Sequence, residues 1–350
     1  MSSVNVAVIG MGYWGPNLAR NLGRLAAANL HTVCDLRQET LAQVAQQYPA
    51  ASLTTNYHDV LENPAIDAVV IATPVATHYT LAKACLKAGK HVLVEKPLAA
   101  TSTECRELID LAGSHNKVLM VGHVFRYNAA VQKLKSYIDS GELGEIYYIY
   151  SSRLNLGRVR HDINALWNFA PHDISIIIHL LDMMPVQVNA SGFSYIQSRV
   201  EDVVFMTLNF PTGIGTHIHI SWLDPRKVRL MTVVGSKKMV IYDDVSSDAK
   251  IQVYDKGVTR QPPHQSLGNF SSFGEFQLLL RAGDVLIPKL DFLEPLRVEC
   301  QHFIDCIVEG KHPITDGLEG LRVVQVLEAA QRSLRNQGQP EAIDGTSYLA

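Results

Sequence analysis

Charge of either sign is nearly absent as an excess. The chain carries 31 Lys and Arg against 34 Asp and Glu, a formal net charge of −3. No run of basic residues forms an arm, so a nucleic-acid binder driven by bulk electrostatics is not expected. Cysteine is sparse: Cys34, Cys85, Cys105, Cys300 and Cys306 are scattered, with no CxxC pair. That pattern gives neither a zinc site nor a disulfide framework, and it fits reduced thiols in a cytoplasmic protein. No stretch approaches the ~18 uninterrupted apolar residues of a membrane span. The N-terminus lacks a basic segment and its apolar run stops at Gly10, so no signal peptide is expected. Repeats and low-complexity tracts are missing too. What is present is a 350-residue chain, 47% hydrophobic and 19% charged, with the length for two domains and sizeable cores.

Up to about residue 123, short apolar runs alternate with helix-length segments. "VNVAVIG" (4–10), "LHTVCD" (30–35), "AIDAVVIATP" (65–74), "KHVLVEKP" (90–97) and "VLMVGH" (118–123) read as strands. Residues 13–28, 37–48 and 77–89 read as helices, with Gly89 at a C-terminal cap. Thr101, with Glu104 three residues on, predicts a capping box. Near-continuous apolar strands alternating with helices mean a parallel, doubly wound sheet covered on both faces. From residue 124 the grammar changes. Helices over about 127–139 and from near Trp167 are followed by strand after strand, predicting a largely antiparallel open sheet. Residues 257–293 read as a long polar loop, and helices over about 294–309 and 317–336 close the chain. The expected division is a nucleotide-binding domain over 1–123 and an α/β domain over 124–350, whose last helix is free to pack back on the first.

"GMGYWG" places Gly10, Gly12 and Gly15 at the GxGxxG spacing between a strand and a helix. The first glycine permits the tight turn, the second lets backbone approach a pyrophosphate, and the third allows close helix–strand packing. The helix N-terminus then offers N–H groups and positive potential to phosphates. Asp35 ends the second strand about 20 residues past Gly15. An acid there accepts hydrogen bonds from ribose hydroxyls and repels a 2′-phosphate, which favours NAD over NADP; Arg37 beside it softens that preference. A structural glycine turn or an S-adenosylmethionine site are the competing readings of the glycines. The expected cofactor contacts here are Gly10, Gly12, Tyr13, Trp14, Gly15, Asp35 and Arg37.

Cofactors on such sheets lie across the carboxyl ends of the strands. Candidates past those ends are Thr73, Pro74 and His78, then Glu95, Lys96 and Pro97, then His123 and Arg126. His78 also reads as an incidental helix-start histidine. Lys96 is harder to explain as idle, since it follows an apolar strand directly. Pro97 holds it extended, with a cis bond as one option. Partial desolvation beside a cationic nicotinamide would make its ammonium more acidic, as proton transfer requires. In "LWNFAPHDISIIIHLLD" (166–182), Asn168 reads as an N-cap with His172 one turn on. At a helix start His172 would be held neutral and proton-accepting. His217 and His219 share one face of a strand without a third ligand, so no metal is expected.

"GMGYWG", "TPVATH", "VEKP", "GHVFRYN" and "APHDIS", in this order, resemble the glucose–fructose oxidoreductase / inositol dehydrogenase / MocA family along nearly the whole chain. The resemblance implies a Rossmann domain, a C-terminal α/β domain whose open sheet builds homodimers or homotetramers, and hydride transfer between NAD and a sugar or cyclitol hydroxyl. It implies Lys96 and His172 as catalytic residues. Where the family often has an acid four residues before that histidine, this chain has Asn168, which shifts the proton chemistry toward Lys96. The segments 166–185 and 283–300 resemble the nucleotide-sugar branch that oxidises C3 of UDP-N-acetylglucosamine or its uronate. Arg126, Tyr127, Arg153, Arg158, Arg160 and Trp167 are the expected holders of a sugar diphosphate, with Lys96, Asn168 and His172 at the reacting sugar. Inositol or free-aldose oxidation, and NAD-dependent glycoside cleavage, are the alternatives.

Overall fold

The structure, a computed structural model, describes residues 3–157, 160–258, 280–281 and 283–344. Arg158 and most of the stretch read as a polar loop lie outside these residues. The chain divides into two compact units, one of residues 1–128 and 293–328, the other of 129–292 and 329–350. The first boundary therefore falls after Asn128, five residues beyond the expected one, and a late segment returns to the first unit.

The first unit is built on six parallel strands: β1 (Val4–Ile9), β2 (Ala28–Cys34), β3 (Ser52–Thr54), β4 (Ala68–Ile71), β5 (His91–Glu95) and β6 (Leu119–Gly122). Their order is β3-β2-β1-β4-β5-β6, so the order reverses between β1 and β4. That reversal opens a crevice at the carboxyl ends, where nucleotides bind in such sheets. Residues 68–71 and 119–122 are buried at every position, as strands covered on both faces must be. The intervening helices are α1 (Gly15–Leu22), α2 (Gln38–Gln47), α3 (Tyr57–Glu62), α4 (His78–Lys87) and α5 (Ser102–Ser114). The predicted capping box on α5 is present: Thr101 Oγ1 accepts from Glu104 N–H, and the Glu104 carboxylate accepts from Thr101 N–H. β3 and α3 were not foreseen, being short and only partly apolar.

The second unit contains α6 (Ala129–Asp139) and α7 (Ala165–Leu181) and a nine-stranded sheet. Its main strands are β7 (Ile146–Leu154), β8 (Gln187–Phe193), β9 (Val203–Asn209), β10 (Gly215–Ser221), β11 (Val228–Gly235), β12 (Met239–Asp243) and β13 (Ile251–Tyr254), with short edge strands Val285–Leu286 and Glu341–Ala342. Neighbours pair antiparallel except β7 and β10. Alternation is clean: Ile149, Ser151 and Arg153 of β7 are buried, while Tyr148 and Tyr150 stand exposed on the other face. The final helices are α8 (Pro295–Glu309) and α9 (Gly317–Arg335), the division between units falling within α9. α8 supplies Leu296, Cys300, Phe303 and Ile304 to the core cluster under β1, β5 and β6. No helix among the described residues is long and apolar enough to cross a membrane.

Candidate functional site

The glycine loop is shaped by close approach. Gly10 has φ +95°, and a Cβ there would sit 2.8 Å from the Ala72 carbonyl oxygen. A Cβ on Gly15 would lie 2.0 Å from the Gly10 oxygen, so any side chain would drive α1 off the loop. Gly12 is the open one: nothing lies within 4 Å of its Cβ position. Trp14 occupies the N-cap of α1 without a side-chain cap, and no acid stands in the first turn. The helix start keeps its positive potential for an anion. Tyr13, 82% exposed, stands edge-on to the Trp14 ring at 5.7 Å.

Asp35 is already oriented. Its Oδ2 accepts from Met11 N–H at 2.7 Å, and its Oδ1 accepts from the Arg37 N–H at 2.9 Å and Nε–H at 3.2 Å. Burial works against its charge, yet the hydrogen bonds from Arg37 and Met11 together hold the carboxyl below its ordinary range. A fixed carboxylate beside an open, uncapped glycine turn fits the ribose and pyrophosphate of a dinucleotide.

At the ends of β4 and β5, His78 is a wall residue, not a ligand-facing one. It is 1% exposed, with Nδ1 2.8 Å from the Pro97 carbonyl and Nε2 2.8 Å from the Thr73 carbonyl. It ties together the two loops that carry Thr73–Pro74 and Lys96–Pro97, which corrects the expectation of a direct cofactor contact. Thr73 Oγ1 accepts from Thr77 Oγ1, and Pro74 stands exposed. The Lys96–Pro97 peptide is cis. Lys96 is half-buried, and its N–H donates to Glu95 Oε2 at 3.2 Å.

Beyond β6 the expectations for Arg126 and Tyr127 change. Tyr127 lies in the core cluster, its hydroxyl 3.1 Å from Thr315 Oγ1. Burial, with the Glu299 carboxylate second, pushes its phenol far up. It serves the packing of this core. Arg126 is paired with Glu319 at 2.5 Å, a partner 193 residues away in sequence.

In the second unit α7 begins at Ala165, two residues before Trp167. Its N-cap is Asn164, whose Oδ1 accepts from Trp167 N–H at 3.1 Å. Asn168 is therefore inside the helix, its N–H donating to the Asn164 carbonyl. Pro171 is interior too, so His172 lies two turns in, where the dipole argument for its neutrality fails. Asn168 and His172 still share a face by their i, i+4 spacing. Trp167 Nε1 donates to Gln331 Oε1 at 3.1 Å. Arg153, expected at a diphosphate, is 5% exposed and forks onto Asp173 through Nε at 2.6 Å and Nη2 at 3.3 Å. It anchors β7 to α7. Arg160 forks onto Asp162 two residues on. His217 and His219 do share one face of β10, and Phe205 of β9 stacks on both. Among the described residues no three His, Cys, Asp or Glu side chains group as a metal site.

One buried acid escaped the sequence. Glu299 of α8 is 0% exposed, and neither of its carboxylate oxygens has a hydrogen-bond partner among the described residues. The signal was available: position 299 falls on the apolar stripe of Leu296, Cys300 and Phe303, where an acid is out of place.

Comparison with known proteins agrees with this geometry. The "Oxidoreductase family, NAD-binding Rossmann fold" profile GFO_IDH_MocA matches residues 4–123, and the GFO/IDH/MocA C-terminal domain profile matches residues 131–241. The scyllo-inositol 2-dehydrogenase (NAD(+)) of Bacillus subtilis is 26% identical over 97% of this chain and 96% of that one. The UDP-N-acetylglucosamine 3-dehydrogenase of Acidithiobacillus ferrooxidans is also 26% identical, over 93% of this chain and 95% of its own. The solved structure of the latter enzyme superimposes with a TM-score of 0.80, at 22% identity, over 97% of this chain and 100% of that one. With an N-terminal sheet that binds NAD and a matching C-terminal domain, this chain belongs to the GFO/IDH/MocA family of oxidoreductases.

Proposed function

We propose that the protein oxidises a secondary hydroxyl of a sugar or cyclitol, with Lys96 taking the hydroxyl proton. The observation that carries this reading is a half-buried lysine delivered by β5 to the carboxyl edge of an NAD-binding sheet. Bound NAD supplies the hydride acceptor. The chain supplies the rest. Asp35 and the α1 N-terminus hold the dinucleotide, while the His78 clamp fixes the loop from which Lys96 reaches the hydroxyl. His172, with Asn168 on the same helical face, is assigned to orient the sugar or share its proton. Asn168 offers a hydrogen bond but no base.

Within that class, C3 of UDP-N-acetylglucosamine or its uronate is the first reading, and a free cyclitol or aldose the second. Full-length relatives of both kinds support the pair equally, at 26% identity each. The structure weighs for the second, since Arg126, Arg153 and Arg160 all have acidic partners within their own units. A diphosphate must then be held by other groups or by breaking those pairs. Incubation with NAD and each of UDP-N-acetylglucosamine, its uronate, myo-inositol and glucose is expected to produce NADH and a keto product with one of them. Absence of NADH with all four sinks the reading. Release of a free sugar from a glycoside without net NADH would instead make it a glycosidase.

The exposed face of the second sheet, with Tyr148, Tyr150, Phe193 and Phe205 standing out, is assigned to a second copy of the chain. The five buried, unpaired cysteines suit the reducing cytoplasm this reading places it in. Sedimentation is expected to give a dimer or tetramer that Phe205→Asp splits, and a wild-type monomer at micromolar concentration removes the assignment.

A further inference from the structure

Beside the Lys96 turn the first unit holds two carboxyl groups that the proposed reaction does not require, Glu95 half-buried at the end of β5 and Glu299 wholly buried on α8. Glu95 is the last residue of β5 and pairs in register with Gly122 of β6. A Cβ on Gly122 would come within 3.3 Å of the Glu95 Cα, Cδ and Oε2, so the absence of a side chain there makes room for this carboxylate to fold over β6. Its Oε2 accepts from the Lys96 N–H. Glu299 on α8 lies within electrostatic reach of Glu95 and is wholly buried, with no described hydrogen-bond partner.

The groups around the pair come from three elements. On β5 and its turn these are Glu95 and Lys96. After β6 they are His123, Arg126 and Tyr127, and on α8 there is Cys300 beside Glu299. His123 is 1% exposed, with neither ring nitrogen hydrogen-bonded to a described residue. Burial, then Arg126 and Lys96, hold it down to about 3, so it is neutral at working pH. The Tyr127 phenol and the Cys300 thiol are both pushed up by burial and stay protonated. Arg126 is already matched by Glu319. The acids that remain are Glu95 and Glu299, and the cation acting on Glu95 is Lys96. Burial raises Glu95 to about 7, with Lys96 working against the rise. Burial and then Glu95 hold Glu299 protonated well above the ordinary carboxyl range. Two interacting carboxyls, one of them wholly buried, do not both ionise freely.

We propose that Glu95 and Glu299 form a proton store keyed to the charge of the nicotinamide: the pair gives up a proton when the oxidised, cationic cofactor binds and takes one back when the cofactor is reduced. The placement follows from the fold, because a dinucleotide lies across the carboxyl ends of such strands, and β5, beside β4 of the switch point, delivers Glu95 and Lys96 at its own carboxyl end. A positive ring there favours the ionised carboxylate, and a neutral reduced ring does not. The proton balance closes. Oxidation of a hydroxyl by NAD yields a ketone, NADH and one proton. That proton passes from the hydroxyl oxygen to the Lys96 nitrogen and on to Glu95, and the C–H electron pair leaves with the hydride. The last transfer rests on Lys96 being the base; the coupling to cofactor charge does not.

The test therefore uses cofactor binding alone, without substrate. Calorimetric titration of the intact protein with NAD, in buffers of different ionisation enthalpy, counts protons released. With Glu95 near 7, binding at neutral pH is expected to release about half a proton, so affinity for NAD rises about threefold per pH unit. NADH is expected to release essentially none. The variant E95Q/E299Q keeps both side-chain shapes, needs no buried charge, and is expected to bind NAD with no proton release and a flat pH dependence. Single variants apportion the proton between the two carboxyls. Equal release by wild type and E95Q/E299Q would move the source to Lys96 and overturn the proposal, as would release that is the same for NADH or nil for NAD. A merely structural role for Glu299 changes unfolding midpoints but leaves the proton count where it was. Sugar turnover is not read in any arm, so failure here leaves the proposed reaction standing, and failure there leaves the proton count standing.

Discussion

Lys96→Ala is expected to lower kcat by about three orders of magnitude, within the range that a positioned acid–base group contributes. NAD affinity is expected to stay within a few-fold of wild type, because the glycine loop and Asp35 are untouched. The reason lies in the local build. β5 is buried through its middle, ends at Glu95, and hands Lys96 to a turn that His78 ties to the loop after β4. Removing the amine takes away a base without removing a wall. Stopped-flow turnover and equilibrium cofactor binding on the same preparation separate the two quantities. A variant that retained a tenth or more of wild-type kcat would place the proton acceptor elsewhere, with His172 the next candidate. Lys96→Arg is not expected to rescue, since a guanidinium stays protonated at working pH.

The second large effect is on stability. Arg153 and Asp173 are 5% and 3% exposed and form a forked pair between β7 and α7. Arg153→Met leaves the Asp173 carboxylate buried without its partner, and such losses cost about 3–5 kcal/mol. Replacing both residues, as Arg153→Met with Asp173→Leu, removes the stranded charge and is expected to recover most of that loss. Urea unfolding of the wild type, both single variants and the double variant forms a complete cycle. If Arg153→Met alone were nearly neutral, the pair would not be the anchor assigned to it. The sequence reading had put this arginine at a substrate phosphate, so the cycle also separates the two roles: a phosphate contact would change KM far more than the unfolding midpoint.

Those arginines mark the boundary of what a single sequence discloses. The glycine loop, Asp35 and the Lys96 turn were legible because each is a local pattern. A strand ends, a glycine or acid sits at a fixed offset, and the physics acts over a few residues. The pairing of Arg126 was hidden because its partner Glu319 is 193 residues away, and that of Tyr127 because Thr315 is 188 residues away. No periodicity reveals such pairings. The N-cap of α7 was misplaced by one turn, since "NALWN" offers two asparagines and only geometry selects Asn164 as the cap. That shift also removed the electrostatic argument for a neutral His172. Both sheets were foreseen in kind. The parallel pairing of β7 with β10 in the second sheet was not, because strand adjacency follows from long-range packing. Glu299 was visible as an acid on an apolar stripe, yet its meaning depended on Glu95 lying within reach on β5.

The central claim is that the chain removes a hydride from a carbinol carbon of a sugar or cyclitol while Lys96 receives the hydroxyl proton. Its most direct test supplies a substrate that passes the panel, deuterated at the carbon to be oxidised, together with NAD. Mass spectrometry of the nicotinamide product is expected to find the deuterium on C4 of NADH, with one deuterium transferred per keto product and none with Lys96→Ala on the same time scale. Keto product formed with the deuterium lost to water, or NADH formed without it, would contradict the account.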